Sequence, residues 1–155
     1  MKHLFLIATM LMTFGFVSAQ NKVYQGNSTN YYDCLFTISS GDKIYRGNST
    51  SYSDCKYTID GNKVYQGNST NYSDCLYTIS GDKIYQGNST NYSDCLYTIR
   101  NGKVYKGNST SYSDCLLTVD GKKVYQGNST SYSDCLATVD GILKYSIVAI
   151  LIGPY

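Results

Sequence analysis

The chain has 155 residues, with 13 Lys and Arg against 11 Asp, 18 tyrosines, six cysteines and one histidine. A charge so near zero excludes the basic footprint that nucleic-acid binding requires. Beyond residue 19 there is no His, Glu, Met or Trp, which removes the usual general acids and bases.

The first residues read MKHLFLIATMLMTFGFVSAQ. A cationic start (Lys2, His3), an apolar run from Leu4 to Val17 and the small residues Ser18-Ala19 define a cleavable signal peptide over 1–19. No cysteine follows the junction, so no acylated N-terminal cysteine is expected. The Ser-Ala-Gln junction resembles those of exported proteins of Bacteroidota, implying a periplasmic or secreted bacterial protein.

From Lys22 the sequence repeats every 20 residues, with one extra residue in the first copy at Ser39-Ser40-Gly41. Copies start at Lys22, Lys43, Lys63, Lys83, Lys103 and Lys123, and a fixed period of this kind marks a repeat architecture. In each copy a run such as KVYQG and a second such as CLYTI have the β-branched and aromatic content of strands. Asp60-Gly61, Ser80-Gly81, Asn101-Gly102, Asp120-Gly121 and Asp140-Gly141 follow the second run and supply the positive φ angles of tight hairpins. A longer GNSTxYSD loop joins the two strands within a copy. The chain is therefore expected to be all-β, with six hairpins and twelve strands over residues 20–141.

Strict alternation places Cys, the middle aromatic and Ile/Val of CLYTI on one face, together inward, and Leu and Thr on the wetter face. Lys56 standing where the first copy has Leu35 supports that choice. Twelve open strands would leave two exposed edges, which closure removes. A twelve-stranded ring has a radius of roughly 12 Å, too wide for its own side chains to fill. The apolar tail, residues 142–155, supplies the filling: Ile142 to Ile152 as a helix is roughly 16 Å long, too short to span a bilayer. An interfacial anchor or a closing strand are the other uses of such a tail.

Twelve strands from hairpin repeats around a C-terminal apolar helix resemble the barrel of the Tubby C-terminal domain. The repeat itself, K-[VI]-Y-x-G followed by [VI]-x-G-x-K, is similar to bacterial β-flower proteins, which are shallow symmetric barrels. Tubby-like domains bind phosphoinositides through basic residues, and this chain has no matching basic cluster. Rival folds are a β-solenoid with one coil per copy, as in ice-binding proteins, and the hairpin solenoid of choline- or glucan-binding repeats, which use Trp as well as Tyr.

Cys34, Cys55, Cys75, Cys95, Cys115 and Cys135 recur two strands apart in a ring of hairpins, roughly 9.6 Å, beyond the reach of a disulfide. Free thiols are expected, with no shared metal site. Asn27, Asn48, Asn68, Asn88, Asn108 and Asn128 each begin an Asn-Ser-Thr sequon, read here as turn chemistry rather than glycosylation. Gly26, Gly47, Gly67, Gly87, Gly107 and Gly127 open the loops. Asp33, Asp54, Asp74, Asp94, Asp114 and Asp134 close them, and one carboxylate per copy is a thin calcium set.

Tyr52, Tyr72, Tyr92, Tyr112 and Tyr132 form a ring of phenols suited to contacting glycan, peptide or an envelope surface. With no nucleophile–base pair and no cofactor motif, the chain reads as an exported, non-enzymatic structural or interaction module. A carbohydrate- or envelope-binding repeat is the alternative, and an ice- or calcium-binding solenoid a third.

Overall fold

Short β-branched and aromatic runs cannot bury both faces alone, and here they pair into one continuous sheet. The computed structural model describes residues 20–39 and 42–154; residues 1–19, where a signal peptide is expected, the Ser40-Gly41 step and Tyr155 lie outside the described residues. The strands are β1 (Asn21–Gln25), β2 (Cys34–Ile38), β3 (Lys43–Arg46), β4 (Cys55–Asp60), β5 (Lys63–Gln66) and β6 (Cys75–Ser80). Then follow β7 (Lys83–Gln86), β8 (Cys95–Arg100), β9 (Lys103–Lys106), β10 (Cys115–Asp120), β11 (Lys123–Gln126), β12 (Cys135–Asp140) and the helix α1 (Tyr145–Ile152). Each strand pairs antiparallel with its sequence neighbours, and β1 pairs with β12, with Val23 opposite Val139, so the sheet is a closed barrel. Closure overturns the solenoid readings, since a solenoid has no pairing between its first and last strands.

Turn chemistry places the register. Asp60 pairs with Lys63 and Ser80 with Lys83, so the tight loops are Gly61-Asn62 and Gly81-Asp82 rather than the Asp-Gly and Ser-Gly pairs. Glycine sits first in each with φ near +60°, the arrangement of a type II′ hairpin. Asn101-Gly102 alone among these has both φ positive, at 52° and 73°, the type I′ form.

One irregularity recurs and corrects the facing expected from alternation. Tyr65 lies opposite Cys75, but the preceding Val64 lies opposite Tyr77, leaving Leu76 as an extra residue. The same shift occurs at β1–β2, β3–β4, β7–β8, β9–β10 and β11–β12. Such a bulge reverses the alternation on its strand. The cysteines consequently face away from the core, beside Tyr24, Tyr45, Tyr65, Tyr85, Tyr105 and Tyr125. The leucines turn toward the core instead: Leu76, Leu96 and Leu116 pack against it. The outward face is not wet. Thr78 Oγ1 donates to the Gly87 carbonyl at 2.7 Å, and Thr37, Thr58, Thr98, Thr118 and Thr138 are buried in the same position.

The interior joins strand residues Val23, Ile44, Val64, Ile84, Val104 and Val124 to helix residues Ile147, Val148, Ala149 and Ile150 in one apolar cluster. The helix is eight residues, roughly 12 Å, because Ile142, Leu143 and Lys144 are spent crossing from the wall inward. Asn21 holds that crossing: its Nδ2 donates to the Ile142 carbonyl at 3.0 Å, and its Oδ1 accepts from the Ile142 N–H at 3.3 Å. A Cβ on Gly141, whose φ is 115°, would stand 2.0 Å from Asn21 Oδ1. At the far end a Cβ on Gly153 would lie 2.3 Å from the Ala149 carbonyl and 3.0 Å from the Tyr97 ring. Among the described residues no helix is long and apolar enough to cross a membrane.

Ile150 is 1% exposed and Ile142 is 90% exposed. Ile150→Ala is expected to destabilise by about 2–5 kcal/mol in chemical denaturation, and Ile142→Ala to leave the midpoint unchanged.

Candidate functional site: the loop rim and the loop-side mouth

Each GNSTxYSD loop is locked by its own polar side chains. Ser69 Oγ donates to Asp74 Oδ2 and accepts the Asn71 N–H at 3.0 Å. The equivalent Ser–Asp bond holds all six loops. A single 3-10 turn follows, as at Tyr72–Asp74. The sequon asparagine ties neighbouring copies together. Asn108 Nδ2 donates to the Tyr92 carbonyl at 2.7 Å, and its Oδ1 accepts from Lys83 Nζ at 2.6 Å. The link runs round the ring to Lys123, which donates to Asn27 Oδ1. Lys63, Lys83 and Lys123 also lie 5.5–5.9 Å from the ring centroids of Tyr72, Tyr92 and Tyr132, a cation–π distance.

The loop tyrosines stand on this locked frame. Tyr52, Tyr72, Tyr92, Tyr112 and Tyr132 are 75–80% exposed, and the first copy contributes Tyr31 at the same position. Tyr31 escaped the sequence reading because Tyr32 follows it where the other copies have Ser; counting back two residues from Asp33 and Asp54 equates Tyr31 with Tyr52.

Inside the barrel, the loop-side mouth carries a collar the sequence reading also missed. Phe36 lies opposite Arg46, Tyr57 opposite Gln66, Tyr77 opposite Gln86, Tyr97 opposite Lys106, Leu117 opposite Gln126 and Ala137 opposite Gln25. Opposed residues of an antiparallel pair share a face, so the last side chain of each odd strand tops an inward-facing one. Below this collar Leu76, Leu96, Leu116, Tyr77, Tyr97 and Pro154 border a cleft of about 670 Å³. Tyr97 donates from its hydroxyl to the Pro154 carbonyl at 2.6 Å, fixing the end of the tail against the wall. At the opposite, turn-side mouth a smaller cleft of about 360 Å³ opens between Ile38, Ile59, Ile79 and Leu143.

A family model described as 6-fold beta flower protein matches residues 9–109 and 98–146. The chain belongs to that family. No curated protein and no solved structure matches it.

Within this beta flower the residues singled out by sequence fall into three groups. The loop glycines and aspartates shape the loops: Gly67 has φ +59°, and each Asp is committed to a serine hydroxyl. The rim tyrosines are exposed. The six cysteines are free and serve the backbone; Cys75 Sγ donates to the Tyr77 and Gly87 carbonyls, both at 3.5 Å. Among the described residues no three His, Cys, Asp or Glu side chains converge as a metal site.

Local chemistry shifts a few titrations. The Ser89 hydroxyl, with Ser93 and Asn91, holds the Asp94 carboxyl below its ordinary 3.8, against a smaller opposing effect of desolvation. A depressed carboxyl adds stability that is present above the ordinary carboxylate range and lost as pH falls through the folded value. Asp94→Asn is thus expected to flatten the acid limb below pH 3.8 in a melting-temperature profile relative to the wild type.

Burial, with Cys75 and Asp60 adding, raises the Tyr65 phenol above 10, and burial with Cys135 and Asp120 does the same at Tyr125. A raised phenol contributes stability that is complete below pH 10 and lost as pH rises toward the folded value. Alkaline unfolding of the wild type above pH 10, softened in Tyr65→Phe, is the expected result of the same profile carried upward.

Proposed function

We propose that this beta flower is an exported, non-enzymatic interaction module that engages its target through the tyrosine rim. The supporting observation is the rim itself: a ring of phenols exposed on loops whose backbone and side chains are already hydrogen-bonded. Binding through such side chains loses little loop entropy, because the frame is ordered beforehand. The composition supports a non-catalytic role, since neither His nor Glu occurs beyond residue 19. The leader sequence supports export from a bacterial cell. The apolar helix within a twelve-stranded ring supports the likeness to the Tubby barrel in topology alone.

Envelope polysaccharide is the target class favoured by the rim chemistry, since exposed phenol rings offer flat apolar faces with a hydroxyl at the tip. Six weak equivalent contacts reach useful affinity only by acting together on a repeating surface. Tyr31, Tyr52, Tyr72, Tyr92, Tyr112 and Tyr132 all changed to Ala should abolish retention on a peptidoglycan or polysaccharide column, with partial sets giving graded loss and an unchanged melting temperature. Retention that survives the six-fold variant would overturn the rim reading.

A further inference from the structure

The helix α1 begins uncapped. Lys144 stands at its N-cap without a side-chain bond to the first turn, and that turn holds no acidic residue. The Ile147 and Val148 N–H groups both donate to the Lys144 carbonyl, at 3.0 and 3.2 Å. The Tyr145 and Ser146 N–H groups are left without an acceptor among the described residues. The buried face of the helix is aliphatic except at Ser146. Ser146 is 8% exposed, and its hydroxyl likewise has no partner among the described residues. A buried hydroxyl carries a desolvation cost that alanine would not, yet this oxygen is not sealed from solvent.

Its opening is the cleft of about 360 Å³ at the turn-side mouth, which Ser146 borders together with Lys144. Ile38, Ile59, Ile79, Leu143 and Ile147 give that cleft its apolar lining. Most of its other polar side chains are spent within the chain. Asn62 Nδ2 donates to the Ile79 carbonyl at 3.2 Å, Ser39 Oγ to the Lys43 carbonyl at 3.5 Å, and Asn21 holds Ile142. Asp42 borders the cleft from the wall and is exposed. It does not pair with Lys144, since the single ion pair among the described residues joins Lys122 to Asp140. No Asp or Glu occurs in residues 1–19 or in Ser40-Gly41, and the terminal carboxylate follows Pro154, which borders the other cleft. An uncapped helix start favours negative charge. Here the free amides, the idle hydroxyl and an ammonium belong to residues 144–146, so they converge without reaching across the barrel.

We propose that the turn-side mouth binds a small branched-chain monocarboxylate. The carboxylate accepts from the Ser146 hydroxyl and N–H beside the Lys144 ammonium. A tail of roughly five carbons lies among Ile38, Ile59 and Ile79, because the cleft is near the lower end of ligand sites, roughly 300–1,000 Å³. Asp42 limits the ligand to one negative charge, since a second carboxylate would be repelled by it. The site lies at the opposite end of the barrel from the rim tyrosines and does not depend on their role.

The test is a titration of the 15N-labelled full chain at neutral pH with 4-methylpentanoate, with 4-methylpentanol and with glutarate, followed by backbone amide shifts. The carboxylate is expected to move the Tyr145 and Ser146 amides and to bind about tenfold more tightly than the alcohol, the margin of one charge-assisted hydrogen bond. Glutarate is expected to bind more weakly than 4-methylpentanoate. Ser146→Ala with Lys144→Gln should bring the carboxylate down to the level of the alcohol, and Ser146→Ala alone should not lower the melting temperature. The variant with all six rim tyrosines changed to Ala should bind the carboxylate as the wild type does. Equal binding of acid and alcohol, acid binding indifferent to the double variant, shifts that spare Tyr145 and Ser146, glutarate binding as tight as that of 4-methylpentanoate, or a melting temperature lowered by Ser146→Ala would each overturn the proposal.

Discussion

Everything in this molecule follows from the pairing of β1 with β12. Closing the ring satisfies both edge strands, but it requires every hairpin to enter with the same register, bulge and tilt. That constraint explains why the phrase GNSTxYSDC recurs with so little change. It also explains the outer ring of lysine–asparagine links, in which each copy's lysine reaches the sequon asparagine of the next, and Lys123 returns to Asn27. Tolerance appears only in a turn: the first copy's extra residue falls between β2 and β3, where a longer hairpin leaves the ladder untouched.

Closure creates a second demand, because twelve strands enclose more space than their own side chains occupy. The tail answers it asymmetrically. Around the ring the middle inward residue runs Phe36, Tyr57, Tyr77, Tyr97, Leu117, Ala137. Six equal tyrosines would compete with the helix for the axis; Leu117 and Ala137 release volume and are fully buried. The helix lies nearest β8, its Gly153 tight against Tyr97. A symmetric wall thus becomes an asymmetric container, with a cleft left beside the tail at each mouth.

The period, the hairpins, the closed ring and the filling helix were legible in the residues because each depends on composition at fixed intervals. The bulge was not. Alternation assumes an unbroken ladder, so a single extra residue at Leu76 was enough to put the cysteines on the wrong face. The sequence did hold a hint: Cys-Leu-Tyr is three apolar residues in succession, which an unbroken two-sided strand does not need. The lysine–asparagine links were hidden for another reason. In a repeat, a residue's partner lies in the next copy, and identical copies give no signal of which one it is. The rim tyrosines were legible because exposure of a loop residue needs no knowledge of register. The collar of Gln25, Arg46, Gln66, Gln86, Lys106 and Gln126 was illegible because its facing is set by the pairing.

Symmetry and its breaking divide the surface by the kind of recognition each part supports. A rim of like loops presents the same weak contact six times, which suits an extended, repetitive target and confers affinity only through simultaneous engagement. It has little power to distinguish one small molecule from another. The loop-side mouth is the reverse: an open cleft on one side of the barrel, bordered by Leu76, Leu96, Leu116, Tyr97 and Lys106. A cleft that occurs once, on one side of the axis, can discriminate by shape in a way that six like loops cannot. In a ring of near-identical staves, only the departures from the repeat, Leu117, Ala137 and the tail among them, make one side of the barrel unlike the other.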